Sequence, residues 1–248
     1  APPGKCTKHG KIPVSSKIQG MVKLFRAAGL ILVMASSAHA LAADATVLKP
    51  PPGASVAVVV FEDLECPDCA NAYPLIWDIA NAHKVPVVLH DFPLPRHNWS
   101  FDAAVWARYF DTHDSKSVKV GNEYRRYIYA NQRQITRDNL QQWVQKFANE
   151  HKIAVPFAKD PDGKLAEKVK ADFALGQRIG VEQTPTIWVV GNGSVSQPLV
   201  EEVKDREQLG QMIDDMVKKA GPAAPVTSTP KKGVPKRGQP PSKKGVKG

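Results

Sequence analysis

Residues 63–73 read DLECPDCANAY and place Cys66 and Cys69 three positions apart, between an apolar run and a predicted helix. The run upstream, SVAVVVF at 55–61, is continuous and β-branched, which is typical of a strand buried on both faces. Pro67 suits the first helical position, because the N–H that proline lacks has no partner there. The stretch therefore predicts a strand-to-helix junction. The first sulfur would lie at the helix N-terminus, where the dipole and unpaired N–H groups favour a thiolate.

The chain around this junction predicts a small sheet interrupted by helices. A second strand over 85–92 completes a β–α–β unit, and Pro74 is expected to kink the helix between the strands. Thr136 and Asp138 supply a candidate helix cap within the next block. The periodicity of that block is almost entirely helical, with predicted helices over 99–113, 116–130, 136–151 and 162–180. Two strands, at 186–190 and 198–202, then flank an Asn-Gly turn and predict a hairpin, followed by a helix over 205–219.

The two ends of the chain differ in composition from its middle. Residues 21–40 combine a basic start, a short apolar run and an Ala-His-Ala pattern, which is typical of a signal peptide and predicts export to the periplasm or another extracytoplasmic compartment. The apolar run is shorter than the roughly 18 residues that spanning a membrane requires. Residues 1–20 are interpreted as an upstream or vector-derived segment and 41–54 as a linker. Residues 220–248 lack acidic and aromatic residues and predict a disordered basic tail rich in Pro and Lys.

The positive charge of the chain belongs to these ends. The net charge is +10, but residues 1–43 contain six basic residues and 220–248 contain seven, with no acidic residue in either segment. Residues 44–219 therefore carry a net charge of −3, and no nucleic-acid surface is expected on them. The tail suits a solubilising role or contact with anionic lipid or cell-wall polymers.

The cysteine pair admits three interpretations: a redox couple, half of a metal site, or a local staple. As a staple it would contribute little, because closing a loop of about four residues stabilises by only about 2 kcal/mol. A structural zinc site needs four ligands, and the only other cysteine, Cys6, lies in the excluded upstream segment. A copper carrier that uses Cys66, Cys69 and one histidine stays open as an alternative. The redox interpretation is the one that export and helix placement favour.

Three stretches, in order, resemble the DsbA-like branch of the thioredoxin superfamily: VVVFEDLECPDCA, VVLHDFPLPRHNWS and LGQRIGVEQTPTIWVVGNG. The resemblance covers residues 55–219. It implies an α/β thioredoxin fold whose halves, 55–95 and 181–219, are separated by an all-helical insertion over 96–180. It also implies thiol–disulfide exchange with protein cysteines and a membrane redox partner. The stretch between the predicted signal peptide and residue 55 is too short for a dimerisation domain, which favours a monomer. A redox-active disulfide would take the place of a cofactor, with no metal.

The same resemblance assigns the site residues. Cys66 would be the nucleophile and Cys69 the resolving cysteine. Pro185 would be a cis-proline that faces the disulfide. Together with Thr184 it would offer its backbone to an extended substrate segment, a form of strand addition.

Pro67 and Asp68, between the cysteines, are predicted to tune the couple. Strong oxidants of this branch often carry histidine where this chain has Asp68. A carboxylate about 7 Å from the sulfur opposes the thiolate by about 1–2 kcal/mol. The prediction is a dithiol oxidase. A reductase or isomerase of the same fold, which Asp68 and Thr184 favour, and a copper- or partner-binding carrier are the alternatives.

Acidic residues just upstream need separate interpretations. The buried acid that thioredoxins carry six positions before the first cysteine is replaced by Val60, so Glu62 or water is predicted to handle the proton of Cys69. Asp63 and Glu65 are predicted to be solvated turn residues. The stretch DFPLPRHNWS is predicted to join the sheet to the insertion with its aromatics packed and its histidine exposed, rather than to line a groove near Cys66 through Asp91, His97 and Trp99.

Overall fold

The computed structural model describes residues 44–115, 119–194 and 197–223. The predicted upstream segment and signal peptide lie outside these residues, as do residues 41–43 of the linker and 224–248 of the tail. None of the helices within the described ranges is long and apolar enough to cross a membrane.

A four-stranded mixed sheet in the order β2–β1–β3–β4 organises the fold. Strand β1 spans Val56–Glu62 and pairs in parallel with β2, Val87–Asp91. On its other side β1 pairs antiparallel with β3, Thr186–Gly191, which forms a hairpin with β4, Leu199–Glu202. The predicted β–α–β and β–β–α segments therefore share one sheet, and the central strand carries the cysteine junction at its end.

The continuous apolar run of β1 is explained by burial on both faces, since every residue of the strand is buried. One face packs against helix α1, Pro67–Ala82, and helix α6, Leu209–Lys219. The other face packs against helix α5, Lys164–Arg178, through aromatic side chains. At Gly176 of α5 an added Cβ would come within 2.5 Å of the Phe92 ring, so this helix approaches the sheet closely because it has no side chain there.

Three of the four α-helices between β2 and β3 pack together as the helical block: α2, Ser100–Asp111; α3, Val120–Asn131; and α4, Leu140–Glu150. Their shared core is aromatic. The ring centroids of Phe110 and Tyr124 lie 4.7 Å apart, and those of Phe110 and Phe147 lie 4.9 Å apart. The same apolar cluster extends to Leu64 and both cysteines. The dithiol therefore lies where the helical block meets the sheet.

The predicted elements all occur, with bounds that differ by a few residues. The helix predicted from residue 136 begins at Leu140, because residues 136–139 form a turn in which the Asn139 side chain accepts the N–H of Thr136 at 2.8 Å. The predicted cap at Thr136 and Asp138 is therefore wrong. Helix α1 runs unbroken through Pro74. The last predicted helix starts as a 3₁₀ turn, Arg206–Gln208, in which Asp205 accepts the N–H of Glu207 at 3.0 Å.

Candidate active site

Cys66 and Cys69 are free thiols at the start of α1, and both are buried. Cys66 is the N-cap residue, with extended backbone at φ −81° and ψ 119°, and Pro67 follows at the first helical position. This geometry places the Cys66 sulfur beside the N–H groups of the first turn, as the sequence predicted. Backbone N–H groups of Asp68 and Cys69 donate to that sulfur.

The pKa of the Cys66 thiol is lowered to about 5 from its ordinary value near 9.0. The largest cause is the hydrogen bond that the Cys69 thiol donates to the Cys66 sulfur. The Thr184 side chain and the backbone N–H groups of Cys69 and Asp68 act in the same direction, while burial opposes them. Cys66 is therefore a thiolate at neutral pH, the form that attacks disulfides.

Cys69 has the opposite character. Burial raises its pKa well above the ordinary value, and the hydrogen bond and negative charge at Cys66 raise it further. The backbone N–H of Asp63 donates to the Cys69 sulfur at 3.4 Å and only partly offsets these effects. One sulfur is thus held as a thiolate and the other as a thiol, which is the division of roles that exchange requires.

The Thr184–Pro185 peptide bond is cis, and its loop lies against the first sulfur. The Cys66 thiol donates to the carbonyl oxygen of Thr184 over 3.2 Å. The Thr184 hydroxyl is buried and has no hydrogen-bond partner among the described residues. When Cys66 ionises, this hydroxyl is placed to donate to the thiolate, which is why it lowers the pKa of Cys66.

Glu62 is a buried acid beside the resolving cysteine. It ends β1, is 3% exposed, and lines a cavity of about 10 Å³ together with Cys69, Tyr73 and Pro185. Burial raises the pKa of Glu62 to about 7, against the lowering effect of the Arg125 guanidinium. A carboxyl group that titrates near neutral pH beside a thiol of raised pKa can exchange a proton with it.

Arg125 of the helical block holds Glu62 in place. It is 1% exposed, and its Nε lies 3.1 Å from Oε1 of Glu62. Its Nη1 lies 3.0 Å from Oδ1 of Asp111, and its Nη2 lies 3.6 Å from Oδ1 of Asp91. Asp91 also pairs with Arg108, so it belongs to a buried ion network rather than to a groove beside Cys66. The sequence did not indicate the role of Arg125. The periodicity of its helix indicates a buried position there but not which groups the side chain contacts.

The prediction that Asp63 is a solvated turn residue is wrong. Its side chain is fully buried, and its Oδ2 accepts the N–H of Leu94 and a hydrogen bond from Nδ1 of His97, each over 2.7 Å. Its Oδ1 accepts the N–H of Glu65 over 2.8 Å and the hydroxyl of Ser100. Buried carboxylates require partners of this kind. The predicted exposure of His97 is wrong for the same reason, since its side chain is only 14% exposed.

Glu65 is likewise a structural residue rather than a solvated one. Its Oε2 accepts the backbone N–H groups of Trp99 and Ser100 over 2.8 and 3.1 Å. These groups open helix α2 and would otherwise be unpaired. Trp99 itself is buried, in agreement with the packing interpretation. The acidic turn therefore ties the dithiol junction to the helical insertion.

Two further residues at the site gave no signal in the sequence. The Gln132 side-chain amide donates to the carbonyl oxygens of Leu64 and Cys66 over 2.8 and 3.0 Å. Nη2 of Arg206 lies 2.8 and 2.9 Å from the two carboxylate oxygens of Asp68. The Asp68 carboxylate, which was predicted to oppose the thiolate, is therefore paired with a cation.

The copper alternative finds no ligand set in the described part of the chain. No group of three or more His, Cys, Asp or Glu side chains there is arranged to hold a metal ion. Histidines near the sheet contact carboxylates instead: Nδ1 of His90 lies 2.7 Å from Oδ1 of Asp172, and Nδ1 of His97 lies 2.7 Å from Oδ2 of Asp63.

These features define a class: proteins whose thioredoxin fold carries a dithiol at the start of the first helix, opposite a cis-proline loop. A family model described as thioredoxin matches residues 51–215, and the chain belongs to this family. No curated protein matches it significantly.

Solved structures described as DsbA proteins share the fold of this chain. The thiol-disulfide exchange protein alpha-DsbA2 from Wolbachia pipientis is 18% identical, with a TM-score of 0.52 over 67% of this chain and 84% of that one. Wolbachia pipientis alpha-DsbA1 is 16% identical, with a TM-score of 0.54 over 69% and 90% of the two chains. Pseudomonas aeruginosa DsbA2 is 17% identical, with a TM-score of 0.50 over 68% and 93%. The predicted thioredoxin fold with a helical insertion is confirmed.

Proposed function

We propose that this chain is a thiol–disulfide oxidoreductase that exchanges disulfides with protein cysteines through Cys66 and Cys69, and that it works as a dithiol oxidase. The observation that carries the proposal is the convergence of donors on the Cys66 sulfur, which lowers its pKa to about 5. Stabilising the thiolate stabilises the reduced form of the enzyme, and a stable reduced form makes the disulfide a stronger oxidant.

In the oxidising direction a substrate thiolate attacks the Cys66 sulfur of the Cys66–Cys69 disulfide. The S–S bond breaks, its electron pair goes to the Cys69 sulfur, and a mixed disulfide forms at Cys66. The second substrate thiolate then attacks the substrate sulfur of the mixed disulfide, and Cys66 leaves as a thiolate. The substrate loses two electrons, which reside in the reduced Cys66–Cys69 pair.

Cys69 must gain a proton when it leaves, because its pKa lies well above the ordinary value. Glu62 shares a small cavity with Cys69 and titrates near neutral pH, so we assign it the proton donor role in this direction. In the reducing direction the same carboxylate accepts the proton as Cys69 resolves the mixed disulfide.

Thr184 and Pro185 are the proposed substrate-binding residues. The Thr184 carbonyl lies beside the Cys66 sulfur, and the loop carries backbone groups that an extended segment can pair with. Pro67 starts the helix whose N–H groups hold the thiolate, and Asp68 is the proposed tuning residue between the sulfurs.

The proposal extends to location and organisation. Residues 21–40 would direct export to the periplasm or an equivalent compartment, where a membrane partner would reoxidise the dithiol. The basic tail over 220–248 would contact anionic polymers. The exported chain, with the proposed boundaries 55–95, 96–180 and 181–219, would act as a monomer. The alternative direction, reductase or isomerase, rests on Asp68 and Thr184, and the pairing of Asp68 with Arg206 weakens it.

Trapping tests the exchange mechanism. Cys69→Ser should accumulate a mixed disulfide at Cys66 with a reduced two-cysteine peptide in glutathione buffer, seen by mass spectrometry, and Cys66→Ser should accumulate none. Mapping the adduct to the peptide that contains Cys66, and not to one that contains Cys6, excludes adventitious adducts. Equal adducts in the two variants would contradict the mechanism. A reduction potential near that of thioredoxin, about −270 mV, would contradict the oxidase direction and favour the reductase.

A further inference from the structure

The Asp68–Arg206 ion pair lies at the edge of the dithiol. Asp68 is the second residue of α1, and its backbone N–H donates to the Cys66 sulfur, so its side chain leaves the same turn that holds the thiolate. Arg206 belongs to the 3₁₀ turn after β4 and reaches back over 138 residues of sequence to place one nitrogen against both carboxylate oxygens.

The pair contributes little to stability. The side chains of Asp68 and Arg206 are 52% and 35% exposed, and solvent screens exposed pairs of this kind. The pair also affects the charge near the Cys66 sulfur. An unpaired carboxylate at the helix start competes with the thiolate for the positive end of the dipole and repels it directly.

We propose that Arg206 tunes the redox couple by pairing with Asp68 and cancelling the field that this carboxylate exerts on the Cys66 sulfur. Arg206 is a positioning residue that acts through Asp68 and touches no reacting atom. The inference rests on the proposed exchange function, and it makes the chain a stronger oxidant than its Cys-Pro-Asp-Cys motif alone indicates.

Other charged groups near the dithiol do not share this role. Glu62 lines the cavity beside Cys69 and pairs with Arg125, and the buried Asp63 carboxylate pairs with His97. Glu65 points to the start of α2. None of these contacts involves Arg206, so a change at Arg206 leaves the partners of these acids in place.

The test is the equilibrium of each purified variant with glutathione: the protein disulfide and two glutathione molecules give the protein dithiol and glutathione disulfide. Arg206→Gln should lower this equilibrium constant about three- to tenfold, because the exposed Asp68 charge destabilises the thiolate. A tenfold change equals about 30 mV for this two-electron couple. Asp68→Asn should raise the constant, and the double variant should return close to the unmodified protein.

Two controls separate tuning from structural damage. Lys204→Gln removes an equal charge two residues away, from an exposed lysine paired with Glu202, and should leave the constant unchanged. Raising the salt concentration should shrink the Arg206→Gln defect, since screening weakens the unpaired carboxylate. Arg206→Lys should retain most of the wild-type value.

An unchanged constant in Arg206→Gln would overturn the inference, and so would a double variant that stays as low as Arg206→Gln. If Arg206→Gln does not fold, the test depends on Asp68→Asn. A higher equilibrium constant with glutathione supports the inference, and a lower one overturns it. These outcomes differ from a failure of the proposed function, in which Cys69→Ser traps no mixed disulfide and no variant equilibrates with glutathione.

Discussion

The phenolic oxygen of Tyr129 donates a hydrogen bond of 3.0 Å to Oε2 of Glu62, across the boundary between the helical block and the sheet. Both side chains are buried. Burial, and next the Glu62 charge, raise the pKa of Tyr129 well above its ordinary value, so Tyr129 keeps its proton and remains a donor. The bond stabilises the carboxylate and limits the rise of the Glu62 pKa, which burial takes to about 7.

Glu62→Gln should slow the steps in which Cys69 gains or loses a proton by about tenfold to 100-fold, toward the lower end of general acid–base effects. Glutamine keeps the shape and can still accept from Tyr129, but it cannot transfer a proton. Stopped-flow measurement of the reduction of a peptide disulfide between pH 5 and 9 should show an inflection near pH 7 that the variant lacks. The contrary result is a variant with an unaltered pH profile.

The reduced protein should gain stability over the oxidised protein as pH rises from about 5 toward 9. Cys66 ionises at a lower pH in the folded dithiol than in the unfolded chain. Its contribution is therefore fully present above the unfolded pKa and is lost as pH falls through about 5. The difference between the Tm values of the two forms, measured at half-unit intervals of pH, should grow over this window. Cys66→Ser forms no disulfide, so its Tm is compared with that of the reduced protein and should lack the rise over this window. A flat difference between the two forms of the unmodified protein would contradict the low pKa.

Gln132→Ala should destabilise the protein by about 1–2 kcal/mol, because the carbonyls of Leu64 and Cys66 lose a common donor. Urea denaturation gives the free energy of unfolding. Gln132 belongs to the 3₁₀ turn Gln132–Gln134. Gln134→Ala, at an exposed position of this turn, is the matched control and should have little effect on the free energy of unfolding. Equal destabilisation by the two variants would show that the turn, not the Gln132 amide, matters.

Arg125→Met should destabilise by about 3–5 kcal/mol, since it leaves the buried carboxylates of Glu62 and Asp91 without their shared cation. It should also shift the Glu62-dependent inflection in the exchange rate upward in pH, because Arg125 is the largest effect that lowers the pKa of Glu62. Arg126→Ala, at the exposed neighbouring position, is the control. An inflection that stays in place would argue against Glu62 as its source.

Much of the fold was predictable because its signals are local. The β-branched run of β1, the proline at the start of α1 and the Asn-Gly turn between β3 and β4 each encode a conformation within a few residues. The helical block was predictable from its periodicity, although its helices begin later where side chains such as Asn139 compete for the backbone. The dithiol followed from the same local logic, since the placement of Cys66 depends only on where the strand ends and the helix begins.

The acidic residues around the dithiol were not predictable in this way. DLECPD contains three carboxylates, and nothing in their spacing separates a buried anchor such as Asp63 from a half-exposed residue such as Asp68. Their partners, His97 and Arg206, lie far along the chain. The sequence by itself determined which sulfur meets the helix N-terminus, because that is set by local backbone geometry. Only the tertiary structure decided which charges surround the sulfurs, because burial and ion pairing depend on groups that folding brings together.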